Sequence, residues 1–301
     1  MTMPLNDLYH VLGMSKQSVH QYHKRQQVFD RKFADLLIEA DELRAAHPGC
    51  GVEKMYYTLK PDFIGRDRFV DAFMELGYRV RRMKNYHRTT IPAWFKYPNL
   101  IEGMVLKRKN TVWQSDITYF DLNGKFYYIV FIIDVFTRQI VGYAVSDHLR
   151  AEANLRALKM ALKNHGAPKI HHSDRGSQYI DKFYTKLLTD HNVDISMGLQ
   201  AQDNAYAERI NGTIKNEYLK HWNIKTFDEL KRKLSKAVQH YNSKRIHDSL
   251  PARISPNEFN RTVNNYQIVE EIFAPDRFTP KEKLFFWCEE IIENDLFCNI
   301  N

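Results

Sequence analysis

Three acidic residues stand in polar stretches that suit chemistry on phosphodiester bonds. Asp116 lies in Trp-Gln-Ser-Asp-Ile-Thr-Tyr, Asp174 in His-Ser-Asp-Arg-Gly-Ser-Gln-Tyr, and Glu208 in Asp-Asn-Ala-Tyr-Ala-Glu. Each acid alone is explained as simply by a role in capping a turn. Two Mg²⁺ ions held by a few carboxylates can activate an oxygen nucleophile, stabilise a leaving oxygen and neutralise phosphate charge. Together the three acids therefore predict a site for two Mg²⁺ ions, which Mn²⁺ can replace.

The segment after Glu208 reads as a helix whose polar residues share its face. Asn211, Gly212 and Lys215 follow Glu208 by three, four and seven residues, the spacing of one helical face. A glycine inside a helix costs about 1 kcal/mol relative to alanine. Gly212 therefore indicates either close approach of a DNA backbone or tight packing against another helix. In the first case, Asn211 and Lys215 are candidate DNA contacts.

The pattern around the three acids predicts an α/β domain. Strand-like alternation begins at residue 111, Asn123-Gly124 is a hairpin signal, and an apolar run follows it. Helical and strand-like segments then alternate as far as Glu208, so the expected order is β-β-β-α-β-α-β-α. This order is that of an RNase H-like fold. It places Asp116 on the central first strand, Asp174 after the fourth strand, and Glu208 on a later helix.

The first hundred residues predict helical DNA-binding modules. A short helical pair precedes residue 28, with Ser15 as the cap of its second helix and Lys16 available for DNA. A second pair ends in a basic run that contains Arg81, Arg82, Lys84 and Arg88, which is either a solvated edge or a phosphate contact. The predicted segments are a helix-turn-helix-like module (1–28), a connecting helix that forms core or a dimer seam (29–47), a second helix-turn-helix-like module (48–91), a basic linker (92–110), the catalytic core (111–222), its helical extension (223–260) and an acidic tail (261–301).

Charge and composition point to a soluble protein that binds a polyanion. The net charge is +8, and residues 1–110 carry nineteen Lys and Arg against twelve Asp and Glu. The three cysteines are far apart, which supports neither a disulfide framework nor a zinc site. No stretch resembles a membrane span or a signal peptide. We therefore expect a cytoplasmic protein associated with the nucleoid and with no membrane partner.

Residues 111–259 resemble the integrase-like DDE transposases of bacterial insertion sequences, in particular the second reading frame of insertion sequence family three. The resemblance rests on the three stretches above, on Ile133-Asp-Val-Phe-Thr-Arg, on Ser196-Met197 and on Tyr241-Asn-Ser-Lys-Arg-Ile-His with Ser255-Pro256. It implies a retroviral-integrase-like core in which Asp116, Asp174 and Glu208 bind the metal. One departure is that 33 residues separate Asp174 from Glu208, two fewer than is usual in the family.

The resemblance also implies a reaction and partners. The expected enzyme binds the terminal inverted repeats of its element, cuts a strand with water and joins the freed 3′-OH to target DNA. It is expected to act as a homo-oligomer on double-stranded DNA, and the product of an upstream reading frame is a further candidate partner. The alternative is a catalytically decayed transposase that serves as a DNA-binding regulator. Asp134 is interpreted as structural, whereas Arg245 is a candidate DNA contact or a buttress of the core.

Overall fold

The computed structural model describes residues 9, 11, 13–80, 97–198, 201–263 and 270–272. The chain forms two compact units, residues 1–81 and 82–301. The predictions for Arg81, Arg82, Lys84 and Arg88, and for most of the first helix before Gly13, lie outside the described residues. Within the described part, no helix is both long enough and apolar enough to cross a membrane.

The first unit is built from three helices, α1 (Lys16–Ala46), α2 (Val52–Leu59) and α3 (Arg66–Glu75). The Ser15 hydroxyl accepts a hydrogen bond from the Ser18 amide at 3.1 Å, which confirms the predicted cap. The expected boundary between residues 28 and 29 does not coincide with the end of an element. Because residues 16–46 contain neither glycine nor proline, nothing interrupts α1 there.

A small aromatic core holds this unit together. Phe69 and Phe73, one turn apart on α3, stack with their ring centroids 4.1 Å apart, and both are fully buried. They pack with Met55 of α2 and with Leu36 and Ala40 of α1. The second half of α1 is thus fixed by burial, while its first turns, including Lys16, are exposed.

The second unit is organised around a five-stranded sheet. Its strands are β2 (Val112–Leu122), β3 (Lys125–Asp134), β4 (Ile140–Ser146), β5 (Ile170–Ser173) and β6 (Asp194–Met197), in the order β4-β3-β2-β5-β6. The hairpin between β2 and β3 turns at Asn123-Gly124, as predicted, with positive φ at both residues. The central position of β2, which carries Asp116, also agrees with the prediction.

Helices cover both faces of the sheet. On one face α4 (Glu152–His165) packs on β3 and β4, and α5 (Lys182–Asp190) packs on β6. The contact of α4 with β4 is so close that a Cβ at Gly142 would clash with the Ala157 carbonyl oxygen. On the other face lie α6 (Ala205–Glu217) and α7 (Phe227–Ser243). The predicted capping box of α7 is present, since Thr226 and Glu229 satisfy each other's backbone amides. The resulting order confirms the RNase H-like fold.

Two features of this unit were not expected. A short strand β1 (Met104–Leu106), inside the predicted linker, pairs with β7 (Glu270–Ile272), inside the predicted acidic tail. In addition, α8 (Pro256–Thr262) runs past the expected boundary at residue 260. The linker and the tail therefore contribute regular structure beside the core.

Candidate active site

Parallel pairing of β2 with β5 brings Asp116 and Asp174 to the same level of the sheet. Ser115 and Ser173 are partners in this pairing, and each serine is directly followed in the chain by one of the two aspartates. Neighbouring strands lie about 4.8 Å apart. Strand β5 ends at Ser173 while β2 continues to Leu122. The two carboxylates therefore lie where β2 no longer has β5 as its neighbour and the edge of the sheet is open.

Glu208 reaches this edge from the first turn of α6, and side chains from β2 fix the start of that helix. The Gln114 carboxamide donates to the Asp203 carbonyl at 2.9 Å and accepts from the Tyr206 amide at 3.1 Å. The Asn204 carboxamide donates to the Ser115 carbonyl at 2.9 Å. The position of α6 is therefore set by direct bonds to the strand that carries Asp116.

Gln114 and Asn204 were not predicted from the sequence as residues of the site. Gln114 is fully buried, and a buried carboxamide must find partners because an unpaired one costs roughly 1–3 kcal/mol. Its place two residues before Asp116, on the same face of a strand, was a usable signal. Asn204, just before a predicted helix, was a second one.

The three carboxylates interact electrostatically. Burial raises the pKa of Asp116 well above its usual value, and the negative charges of Asp174 and Glu208 add to the rise. Burial also raises the pKa of Asp174, and burial together with Asp174 raises that of Glu208. Mutual repulsion of this kind is relieved when a cation binds between the groups.

The donor set fits a hard divalent cation such as Mg²⁺. Carboxylate and amide oxygens are its preferred protein ligands. The Oδ1 atom of Asn211 is buried beside Asp116 and has no hydrogen-bond partner among the described residues, so it is a further oxygen for an ion or its water. Among the residues that the structure describes, no three His, Cys, Asp or Glu side chains are close enough to share one ion. The carboxylates thus supply the oxygen ligands that Mg²⁺ prefers and lie near one another. They must move closer together to bind one ion directly.

Asn211 has a different role from the predicted DNA contact. Its Nδ2 donates to Asp116 Oδ2 at 2.6 Å, and the side chain is 6% exposed. A carboxamide held in this way is not available to a phosphate. Asn211 instead orients the Asp116 carboxylate, which corrects the prediction.

Lys215 is placed near the site in a manner that suits a phosphate. Its ammonium lies 4.9 Å from the centre of the Tyr119 ring. Burial and the nearby Lys220 lower its pKa, while Asp116 acts in the opposite direction. A partly desolvated ammonium two turns along α6 from Glu208 favours an anionic partner.

Gly212 is not explained by helix packing. A Cβ built there would have as its nearest neighbour only the Asn216 side chain, at 3.9 Å, and the residue is partly exposed. Among the described residues, no packed helix therefore accounts for Gly212. Close approach of a DNA backbone, the other explanation left open by the sequence, stays a prediction.

Of the two roles left open for Arg245, DNA contact or buttress of the core, the structure favours the buttress. Its Nε and Nη2 atoms donate to the two carboxylate oxygens of Glu217 at 2.8 and 2.7 Å, and the residue is 8% exposed. A buried guanidinium that already donates two hydrogen bonds to a carboxylate is not available to a phosphate. Asp134 is likewise structural, as interpreted, because it is buried and accepts from the amides of Asn110 and Thr137.

Removing one partner of the ion pair between Glu217 and Arg245 is expected to destabilise the second unit. Glu217→Ala leaves the Arg245 guanidinium buried without its counter-ion, which costs about 3 kcal/mol for a pair of this kind. Urea unfolding followed by circular dichroism measures the change. A loss below about 0.5 kcal/mol, within the range of ordinary surface substitutions, would show that the pair is not structural.

Comparison with known proteins places the chain among its relatives. The integrase core domain family matches residues 107–201 and 191–254. The chain is 31% identical over 266 residues to the uncharacterised 31 kDa protein of insertion element IS600 from Shigella sonnei, which covers 83% of this chain and 96% of that protein. It is also 31% identical to the transposase of insertion sequence IS904 from Lactococcus lactis, over 62% of this chain and 76% of the relative.

A solved structure with a similar fold is the integrase catalytic core of HTLV-2 in complex with magnesium, in its trimeric form. It is 19% identical, with a TM-score of 0.43, and the match covers 54% of this chain and 99% of that one. The sequence relatives carry the assignment. The chain therefore belongs to the insertion-sequence transposases with an integrase core domain, a family of polynucleotidyl transferases.

Proposed function

We propose that the chain is a divalent-metal-dependent DDE transposase that cuts its element's terminal inverted repeats and joins the freed 3′-OH ends to target DNA. The observation that carries this proposal is the convergence of Asp116, Asp174 and Glu208 from β2, the end of β5 and α6: burial raises the pKa of all three, and neighbouring carboxylates raise those of Asp116 and Glu208 further. Carboxylates gathered at such a cost in repulsion favour a cation site. Acids with separate structural roles would not need to lie close to one another.

Each residue around the site has a part in the proposed reaction. Asp116, Asp174 and Glu208 would hold two Mg²⁺ ions, and Mn²⁺ can replace them. The ions would supply charge neutralisation at the phosphate and a nucleophilic oxygen at neutral pH. Asn211 keeps the Asp116 carboxylate oriented through its 2.6 Å hydrogen bond. Lys215 binds a phosphate of the DNA strand next to the scissile bond.

The amino-terminal unit would recognise the element ends. Its α2–α3 pair has the succession of two short helices that enters DNA grooves in helix-turn-helix proteins. Lys16 is exposed in the first turn of α1, and the basic residues Arg81, Arg82, Lys84 and Arg88 follow the pair. Because two element ends must be processed together, the active form is proposed to be a homo-oligomer on DNA. Sedimentation of the DNA complex tests this, and a strictly monomeric complex would contradict it.

The direct test of the function is an assay on DNA that carries the element's ends. We expect strand cleavage and joining with Mg²⁺ or Mn²⁺, and none in EDTA. Binding without cleavage, under conditions in which the protein is folded, would favour the alternative of a decayed transposase that acts as a regulator. The same assay with the upstream-frame product added shows whether that protein is needed.

The Gly212→Ala variant distinguishes an effect on stability from an effect on the approach of DNA. The change is expected to stabilise the protein by about 0.5–1 kcal/mol, because alanine favours a helix and meets no close neighbour there. Cleavage is nevertheless expected to fall, about tenfold, since the added methyl occupies the surface between Glu208 and Lys215. Melting temperature and single-turnover rate measured on the same preparation give both values. An alanine variant that is more stable and fully active would remove close DNA approach as the reason for the glycine.

A further inference from the structure

The surface that extends from Lys215 carries lysines that are each held over an aromatic ring. Besides Lys215 over Tyr119, the Lys125 ammonium lies 5.1 Å from the Tyr127 ring centre. Lys231 lies 4.1 Å from the Phe227 ring, and Lys233 lies 5.0 Å from the Trp222 ring. We call these four pairs, together with Lys220 and Lys225, the lysine strip.

Contacts between the members show that the strip is continuous. Lys220 is near enough to Lys215 to lower the pKa of that residue. Asn123, in the turn after β2, donates to the Lys225 carbonyl at 3.5 Å. Tyr127 and Phe227, which lie under two different lysines, stack on each other with centroids 4.7 Å apart. The strip therefore runs from the open edge beside Asp116 across the β2–β3 turn to the start of α7.

The charge of this surface is strongly positive. Residues 215–236 contain seven Lys and Arg against three Asp and Glu, and one of those acids, Glu217, is engaged by Arg245. Lys231 pairs with Asp228 and Lys125 with Asp147, but both pairs are solvent-exposed. Exposed pairs of this kind contribute about 0–1 kcal/mol, so a phosphate can replace the carboxylate at little cost.

Packing against the rings prepares these lysines for binding. A lysine side chain has up to about 2 kcal/mol of rotamer entropy to lose when it is fixed. A stem already laid on an aromatic face has lost part of it before a ligand arrives. Several pre-positioned ammonium groups beside a polynucleotidyl transferase site suit a nucleic-acid backbone, which carries many phosphates, better than they suit a single small anion.

We propose that the lysine strip binds the backbone of the DNA duplex that leads into the active site, through phosphate contacts that do not depend on sequence. This inference rests on the proposed function, and it adds a surface of the catalytic unit to the contacts expected from the amino-terminal unit. The same phosphate chemistry is offered by an element end and by target DNA, so both duplexes are included in the test.

The test is the salt dependence of duplex binding by the full chain in EDTA, where no cleavage occurs. Each lost phosphate contact reduces the slope of log K against log salt by about 0.9. The triple variant Lys225→Gln/Lys231→Gln/Lys233→Gln is expected to reduce the slope by about 2–3 with an element-end duplex, an unrelated duplex, or both. The duplex for which the slope falls is the DNA that the strip binds. The corresponding triple Lys→Arg variant keeps the charge and is expected to keep the slope.

A matched control removes the same charge elsewhere on the catalytic unit. Lys159, Lys163 and Lys182 are exposed on α4 and α5, and Lys182 also lies over a ring, at 4.9 Å from the Phe183 centroid. Their replacement by glutamine is expected to leave the slope unchanged. Equal slopes for wild type and the strip variant on both duplexes, or an equal decrease in the control, would overturn the proposal. A wild-type protein that binds DNA through the strip but never cleaves it with Mg²⁺ or Mn²⁺ would instead refute the proposed function alone.

Discussion

Asp116→Asn, Asp174→Asn and Glu208→Gln are each expected to reduce strand cleavage and joining at least about 10³-fold. Each change keeps the shape of the side chain and removes the charge that a divalent cation requires. Stabilisation of transition-state charge by such ions amounts to several kcal/mol, and each 1.36 kcal/mol corresponds to a factor of ten in rate. Single-turnover cleavage of a labelled element end measures the effect.

The stability of the Asp116 variant provides the control for folding. A carboxylate whose pKa is raised in the folded state contributes stability below its unfolded pKa, and this contribution is lost as pH rises through the folded pKa. At neutral pH and without metal, the ionised carboxylates of the wild-type protein therefore lower the free energy of unfolding. Asp116→Asn is expected to melt a few degrees higher than wild type in EDTA near neutral pH, and to lose this advantage toward acidic pH.

Metal binding should reverse this ranking. A ligand at 100 times its Kd stabilises the folded state by about 2.7 kcal/mol. Mg²⁺ is therefore expected to raise the melting temperature of wild type but to have little effect on Asp116→Asn. A folded amide variant that still cleaves at more than about a tenth of the wild-type rate would exclude that residue as a ligand.

Gln114→Ala is expected to reduce cleavage about 100-fold although Gln114 is not a candidate ligand. Without its carboxamide, the Asp203 carbonyl and the Tyr206 amide lose their partner, and the start of α6 is no longer tied to β2. A displacement of about 1 Å at a catalytic group can cost a factor of 100 in rate. The Mg²⁺ concentration needed for half-maximal rate is also expected to rise, because Glu208 moves with the helix.

A matched variant distinguishes positioning from general loss of stability. Leu158 is fully buried on α4, on the opposite face of the sheet, and Leu158→Ala should destabilise the protein by about 2–5 kcal/mol. Its Mg²⁺ requirement is expected to equal that of wild type at a temperature where both are folded. If Gln114→Ala and Leu158→Ala changed the Mg²⁺ requirement alike, Gln114 would have only a general structural role.

The tie between Gln114 and α6 also bears on the shortened spacing between Asp174 and Glu208. Hydrogen bonds of Gln114 and Asn204 tie residues 203–206, directly before and at the start of α6, to β2. A loop that is two residues shorter ahead of these hydrogen bonds therefore need not displace Glu208.

Local patterns were sufficient to predict the fold of the catalytic unit. Strand alternation, the Asn123-Gly124 turn and the Thr226 capping box depend on residues close together in the chain, and all three are present. The continuity of α1 was also readable, since its sequence lacks a helix breaker. By contrast, the pairing of β1 with β7 joins segments more than 150 residues apart, and three-residue strands leave almost no periodic signal.

The roles of polar side chains at the site were harder to predict because their partners lie far away in sequence. Asn211 shares a helix face with Glu208, which was correctly read, but its partner Asp116 is 95 residues earlier. Arg245 was ambiguous for the same reason, since its partner Glu217 is 28 residues away. A sequence pattern gives the face on which a side chain lies, and only the packed structure decides which charge or amide meets it.

The most direct test of the proposed metal site is a crystal structure of the full chain grown with Mn²⁺, with the ions located by their anomalous scattering. We expect Mn²⁺ between the carboxylates of Asp116 and Asp174, with Glu208 drawn toward them and Asn211 still bonded to Asp116. Manganese bound only at other residues, in a protein that cleaves DNA in the same Mn²⁺ solution, would contradict the assignment of these three acids as the catalytic ligands.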